Sequence, residues 1–172
     1  MEKLVAIYDD LLTLKEIEEY ENLFLSNYFP WYLQESTVPR EKDFPFMCHN
    51  FFKVDKTLSD NMPIAVSVLT KFIERSKTKY SELIRAQANL TFPKKSNNHS
   101  TIHIDDEKPH HVLIYYVLNS DGNTIMFENN KIFKEIEPKK GRFVLFDGSI
   151  NHAQFTCSEK RIVINYNLQI PQ

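Results

Sequence analysis

Thr101-Ile102-His103-Ile104-Asp105 places an imidazole and a carboxylate two residues apart. Side chains alternate faces along a strand, so His103 and Asp105 point the same way and could hold one metal ion as a pair. Ile102 and Ile104 would then turn into an apolar layer. A half-buried strand with a wetted polar face shows the same alternation, so the pair needs a third ligand to mean more. His152 is the candidate, following the turn Asp147-Gly148-Ser149-Ile150-Asn151 at the start of a strand. Arg161 comes nine residues later, across Ser158-Glu159-Lys160. Two adjacent antiparallel strands would present His152 and Arg161 to one space. Two histidines and one carboxylate on one side of a metal leave three positions open, the donor set of non-haem iron(II) oxygenases. A guanidinium cannot ligate a metal, because it has no acceptor, but its fork suits a carboxylate. A structural ion pair with an acid such as Asp147 is the other reading of Arg161.

Periodicity suggests the elements that must position these groups. From Ser81 onward the pattern predicts strands near 82–92, 101–105, 111–118, 124–128, 131–136, 142–147, 152–156 and 161–169. Turn residues separate them at Asn119-Ser120-Asp121-Gly122, Asn129-Asn130, Pro138-Lys139-Lys140-Gly141 and Asp147-Gly148. Eight strands at this spacing suggest a sandwich or jelly roll. Upstream, Leu4 to Tyr8 reads as a short strand. Phe29-Pro30-Trp31-Tyr32-Leu33 and Phe44 to Phe52 read as aromatic, strand-like stretches. Thr13-Leu14-Lys15-Glu16 has capping-box spacing, with Leu12 and Ile17 as the staple. Leu14, Ile17, Tyr20 and Phe24 follow at helical intervals. Ser59-Asp60 before Met62-Pro63 marks a second helix start, with an apolar stripe through Ile64, Ala65, Val68, Leu69, Phe72 and Ile73 and an end after Arg75. Both helices read as scaffold. The expected organisation is a single domain over 1–172, with helical and aromatic support over 1–80 and a β core over 81–170.

The last strand puts Ile162, Ile164, Tyr166 and Leu168 on one face and Arg161, Val163, Asn165 and Asn167 on the other. The strand at Arg85 repeats this, with Ala86, Ala88 and Leu90 opposite Gln87, Asn89 and Thr91. Solvated sheet faces favour Lys and Glu. Asn, Gln and Thr suit the inside of a small polar cavity better.

Composition narrows the classes. The chain has 172 residues, 42% hydrophobic and 13% aromatic, which argues against disorder. Its 23 acidic and 21 basic side chains nearly cancel, so nothing predicts attraction to nucleic acid or to an anionic membrane. Lys94-Lys95 and Lys139-Lys140 sit beside prolines and read as turns. Cys48 and Cys157 are too few for a disulfide framework and too far apart for a zinc pair, and they suit a reducing compartment. Acids close the first apolar run, so the start is not a signal peptide, and no run approaches the ~20 residues of a membrane span. A soluble, cytoplasmic protein is expected. His49, His99, His110 and His111 have no ligand spacing and read as structural or solvated, with His110 and His111 near enough to line a mouth. Asp106 and Glu107 read as loop acids.

His103-x-Asp105, the distant His152 and the later Arg161 together resemble the iron(II)/2-oxoglutarate-dependent dioxygenases, most nearly the prolyl-4-hydroxylase-like branch. The resemblance runs from about Arg85 to Leu168. It includes Ile114-Tyr115-Tyr116, Asp121-Gly122-Asn123-Thr124 and Phe146-Asp147-Gly148-Ser149. The segment around Phe29-Pro30-Trp31-Tyr32 looks like that of small stand-alone bacterial and phage members. The resemblance implies a mainly β fold with buttressing helices around a double-stranded β-helix, a cupin-like jelly roll. It implies Fe(II) on His103, Asp105 and His152, and 2-oxoglutarate with its far carboxylate on Arg161. Tyr116 would add a hydrogen bond there, or Tyr115 if the register slips by one, and Asn89 and Asn165 would face the same cavity. O2 would be consumed, with ascorbate as a supporting reductant, and a substrate C–H hydroxylated with release of succinate and CO2. The expected substrate is a prolyl or other amino-acid side chain, in a protein, a peptide or free. A nucleobase or small metabolite is the alternative among enzymes. A cupin-like binding domain with a structural metal is the alternative outside them.

Overall fold

The computed structural model describes residues 4–38, 44–94, 96 and 98–171. Met1-Glu2-Lys3 of the amino-terminal reading and Lys95 of the basic turn lie outside these residues. In chain order the elements are β1 (Val5–Tyr8), α1 (Leu14–Leu25), β2 (Tyr32–Gln34), β3 (Phe46–Lys53), β4 (Lys56–Thr57) and α2 (Met62–Ser76). There follow β5 (Glu82–Thr91), β6 (His111–Tyr116), β7 (Thr124–Glu128), β8 (Lys131–Ile136), β9 (Phe143–Asp147), β10 (Asn151–Gln154) and β11 (Arg161–Gln169). No helix among the described residues is long and apolar enough to cross a membrane.

The strands form two antiparallel sheets. The larger runs β1-β9-β6-β11-β5-β3-β2, with β4 attached to β3, and the smaller runs β10-β7-β8. The amino-terminal strands are therefore part of the main sheet, at both its ends, and not only a support outside it. Alternation divides the side chains of the main sheet between two cores. Ala86, Ala88, Leu113, Tyr115, Phe143, Leu145, Ile162, Ile164, Tyr166 and Leu168 pack with Phe24, Val68, Leu69 and Phe72 of the helices. Val112, Ile114, Tyr116, Val144, Phe146 and Val163 face inward and meet Met126 and Ile136 of the small sheet. Where β5 and β11 run beyond that second core, their inward faces turn polar and border a cavity.

The capping box of α1 forms as its spacing predicts. Glu16 N–H donates to Thr13 Oγ1 at 3.3 Å, and Thr13 N–H donates to Glu16 Oε2 at 2.8 Å. The Glu16 carboxylate also accepts from Arg75 of α2 at 2.6 and 2.7 Å and lies 3.1 Å from Lys71 Nζ. Arg75 is the main reason its carboxyl stays well below the usual carboxylate range. Tyr20 and Phe24 are buried as expected, but Leu14 is 78% exposed. As the first helical residue it projects past the rim of the core. The second helix also departs from expectation at its start. Its N-cap is Asn61, without a side-chain cap bond. The Ser59 hydroxyl instead accepts from Asn61 N–H at 3.0 Å and pairs with His49 Nε2 at 2.8 Å. Asn129 and Asn130, both at positive φ, make the two-residue turn between β7 and β8.

The strand predicted over 101–105 is reduced to isolated bridges, His99↔Phe155 and His103↔His152. Asp105 leaves the small sheet to reach the large one, and that departure ends the pairing. Ile102 and Ile104 do not enter an apolar layer. They are 41% and 36% exposed, and Ile104 borders the cavity beside Asp105.

Candidate metal centre and its cavity

His103 and His152 meet through their backbones. Each N–H donates to the other's carbonyl, at 3.0 and 2.9 Å. Directly paired residues of antiparallel strands project to one face, so the two rings lie with centroids 4.6 Å apart. Asp105, two residues on from His103, completes the cluster, and one donor atom from each of the three lies within 4.8 Å of the others.

Both imidazoles are held in one tautomer. His103 Nδ1 lies 2.9 Å from the Thr101 carbonyl and His152 Nδ1 lies 3.0 Å from that of Ile150. A carbonyl only accepts, so each Nδ1 carries the proton and each Nε2 offers its lone pair. Those Nε2 atoms stand 3.6 and 3.9 Å from Asp105 Oδ1. The other carboxylate oxygen is held from the opposite sheet. Asn167 Nδ2 donates to Oδ2 at 3.1 Å, and Arg85 Nη2 is 3.3 Å from it. Burial works against the Asp105 charge, but Arg85 and the two imidazoles outweigh it and keep the carboxyl well below its ordinary range. Burial favours the neutral form of both histidines. It wins at His152, which is lowered, and at His103 the Asp105 carboxylate reverses it. Two neutral nitrogen donors and one ionised oxygen fit a divalent transition metal with positions to spare.

The cluster opens into a cavity of about 440 Å³, within the range of small-molecule sites. Its walls include Arg85, Gln87, Asn89 and Thr91 of β5 and Arg161 and Asn165 of β11. Asn89 and Asn165 thus line it as the alternation predicts. Asn89 Oδ1 accepts from Gln87 Nε2 at 2.9 Å, and Asn165 Oδ1 is buried without a hydrogen-bond partner.

Arg161 is 4% exposed. Its Nη1 donates to Gln154 Oε1 at 2.7 Å and its Nη2 to Thr124 Oγ1 at 2.9 Å, while its Nε is buried and unpaired. Both partners are neutral. The ladders set Asp147 opposite His111 and His111 opposite Leu168, at the far end of β11 from Arg161, so Asp147 is not its ion-pair partner. Burial pulls its pKa down, an effect that a bound anion would oppose. Arg161 and His152 do not sit on adjacent strands, as expected from the turn between them. β10 pairs with β7, and β11 with β5 and β6, so the two residues face each other across the sandwich.

Tyr116 faces inward. Its ring lies 5.5 Å from the Arg161 guanidinium carbon, and its hydroxyl is 2.7 Å from Thr124 Oγ1. It does not itself line the cavity, so it acts through Thr124 and Arg161. Tyr115 points the other way, onto Tyr20 and Phe143 with centroids 6.0 and 4.8 Å apart, which excludes it from the site. The register Val163↔Tyr116 and Ile164↔Tyr115 decides between them.

Sequence reasoning passed over Arg85, Asn167, Gln154 and Thr124. Gln154 shares the face of His152 by parity, and Arg85 shares that of Gln87 and Asn89, so alternation held a signal for both. Thr124 carried none. Neither His110 nor His111 is among the residues that line the cavity, and His49, His99 and His110 keep structural places. His49 is buried between the Pro30 carbonyl and Ser59. His99 stacks near Phe127, and His110 lies buried beneath Gly148. Burial raises the thiol pKa of Cys157, so nothing activates it.

Neither a protein-family sequence model nor a curated protein matches the chain. Solved structures do. An oxidoreductase of the 2-oxoglutarate-Fe(II) oxygenase family from Burkholderia pseudomallei superposes with a TM-score of 0.74 at 11% identity, over 96% of this chain and 84% of that one. A Trichoplax adhaerens prolyl hydroxylase, in complex with a peptide of the hypoxia-inducible factor oxygen degradation domain, gives 0.64 at 16% identity, over 96% and 83%. A Pseudomonas putida prolyl-4-hydroxylase gives 0.62 at 12% identity, over 98% and 93%. The fold is that of the 2-oxoglutarate-Fe(II) oxygenases, prolyl hydroxylases included.

Proposed function

We propose that this protein is an Fe(II)- and 2-oxoglutarate-dependent dioxygenase. Its product would be a hydroxylated prolyl or other amino-acid side chain, with succinate and CO2 released. The observation that carries the reading is Arg161, a buried cation that pairs with no acid among the described residues, placed in the same cavity as His103, Asp105 and His152. A structural metal alone has no use for that cation, which counts against a non-enzymatic cupin-like domain. His103, Asp105 and His152 would hold iron(II), which would supply the O2 activation that couples oxidative decarboxylation of 2-oxoglutarate to hydroxylation of substrate.

The chain's own groups do the positioning. Thr101 and Ile150 carbonyls hold each Nδ1 proton and so aim both Nε2 lone pairs inward. Asn167 and Arg85 occupy Asp105 Oδ2 and leave Oδ1 for the metal. Gln154 and Thr124 spread the Arg161 fork, and Tyr116 fixes Thr124. The buried fork can then receive a carboxylate. A peptide or amino-acid substrate is supported by the likeness to prolyl hydroxylases, one of them bound to a peptide.

The test is succinate production from 2-oxoglutarate, under O2 with Fe(II) and ascorbate. Proline-containing peptides, proteins and free amino acids are supplied as substrates and read by mass for one added oxygen. Activity on nucleobases or small metabolites alone would move the substrate class. Hydrolysis supported by Zn(II) without 2-oxoglutarate would overturn the oxygenase reading.

A further inference from the structure

At the Asp105 end of the cavity a second cation, Lys53, stands beside Arg85, and neither the metal nor 2-oxoglutarate explains it. Lys53 and Arg85 stand opposite each other in the β3–β5 ladder, and both line the cavity. Like charges placed directly opposite on neighbouring strands repel, so the arrangement costs stability unless an anion answers it.

Lys53 reaches this face through a backbone irregularity. Pairing passes from Asn50↔Gln87 to Phe52↔Ala86, which leaves Phe51 as an extra residue in β3. Strict alternation from Asn50 would have sent Phe52 into the cavity and Lys53 to the helix side. Phe51 and Phe52 both pack on the helix-side core instead, and Lys53 borders the cavity. Bulges beside functional sites re-aim side chains in this way.

Arg85 has donors to spare. Its Nη2 is near Asp105 Oδ2, and its Nε is buried without a hydrogen-bond partner. A guanidinium carries five N–H donors. Among the described residues Lys53 has no ion-pair partner, and Asp105 is the only carboxylate that lines the cavity. Among the described residues the charges of the lining are Lys53, Arg85 and Arg161 against Asp105, a net of +2. A divalent metal and dianionic 2-oxoglutarate cancel each other, so that surplus survives loading of both.

We propose that the primary substrate carries an anionic group, a carboxylate or a phosphate, that Lys53 and Arg85 receive. This rests on the oxygenase reading and names the substrate class of the same site. The preferred substrate is then an amino acid or peptide that presents its terminal carboxylate or a phosphorylated residue beside the reacting carbon.

The test uses probe pairs that differ only in that charge. They are L-proline and L-prolinamide, a Gly-Pro-Gly peptide with a free and an amidated end, and a Ser-Pro-Gly amide with and without phosphate on its serine. Affinities are measured by calorimetry without O2, on protein loaded with Fe(II) and 2-oxoglutarate. In at least one pair the anionic member should bind roughly tenfold more tightly or better, and Lys53→Ala should erase most of that preference. A preference in the first two pairs assigns a carboxylate, and one in the third assigns a phosphate. No preference in any pair overturns the proposal, and so does a preference that Lys53→Ala leaves intact. The 2-oxoglutarate titration in the same samples separates the two claims. Wild-type protein that fails to bind 2-oxoglutarate removes the oxygenase reading and this inference together. Protein that binds it without any charge preference removes this inference alone.

Discussion

Arg85 and Asn167 are direct partners in the β5–β11 ladder, and both reach the same oxygen of Asp105. The carboxylate is thereby anchored to the large sheet, while His103 and His152 belong to the edge of the small one. The triad spans the sandwich, and its geometry depends on how far apart the two layers stand.

Asn167→Ala should weaken metal binding by about 10–100-fold, the usual cost of losing a group that orients a ligand. Backbone pairing of β11 is untouched, so the melting temperature of the metal-free protein should change little. Competition for Co(II) against a chromogenic chelator measures the affinity. An unchanged value would assign Asn167 to packing alone.

His103→Ala and His152→Ala should both lose metal affinity by more than about 100-fold, beyond what outer partners cost. They should differ in stability. His152 is buried and its ring packs edge-on to Phe146 at 5.1 Å, whereas His103 is partly exposed. The metal-free His152→Ala protein should therefore melt lower than the metal-free His103→Ala protein. Metal content together with thermal melts of both variants checks this, and retained iron in His152→Ala would remove it from the triad.

Arg161→Ala should cost roughly 2–5 kcal/mol of 2-oxoglutarate binding, the range for truncating one side of a desolvated charge pair. That is on the order of 30-fold to several thousand-fold in affinity. Arg161→Lys should recover part of it, keeping the charge without the fork. The guanidinium is buried and pairs with no acid among the described residues, so its removal should not lower the melting temperature of the unliganded protein. Anaerobic 2-oxoglutarate titrations and melts of the three proteins decide. Equal affinities with a lower melting temperature in Arg161→Ala would make the residue structural.

Burial lowers the pKa of His49, which lies between the Pro30 carbonyl and Ser59. A histidine depressed in the folded state is kept neutral by folding. Its contribution is complete above the unfolded value of about 6.5 and is lost as pH falls below it. One such group gives a slope of at most about 1.4 kcal/mol per pH unit. His49→Asn, which can still donate to the Pro30 carbonyl, should be less stable at pH 7 and flatter in its decline below pH 6.5. Denaturation curves between pH 7.5 and 5 measure both slopes, and equal slopes would count against His49.

Much of this architecture was legible because it repeats with period two. β5 and β11 divide into an apolar and a polar face, and the structure puts those faces against the helices and around the cavity. His-x-Asp was legible for the same reason. What escaped depends on register and on breaks in the period. Tyr115 and Tyr116 are indistinguishable until β6 is set against β11. The extra residue at Phe51 reverses the side that Lys53 faces, and two adjacent phenylalanines look the same with or without it. Alternation puts Arg85 and Asn167 on the cavity face, but their hold on Asp105 comes from a partner across the sandwich, which neither strand records.

Glu16 answers to two helices at once. Its carboxylate closes the first turn of α1 through Thr13 and also receives Arg75 from the last turn of α2, which holds the Leu11 carbonyl as well at 2.7 Å. Fraying is normally the private affair of each helix end. Here the two ends share their partners, so one cannot loosen without stripping the other. The opening turn of α1 and the closing turn of α2 should exchange their amide hydrogens as one cooperative unit, with a common free energy of opening. Glu16→Gln would split that unit in two. The back of the main sheet would then be uncovered piecemeal, well away from the cavity.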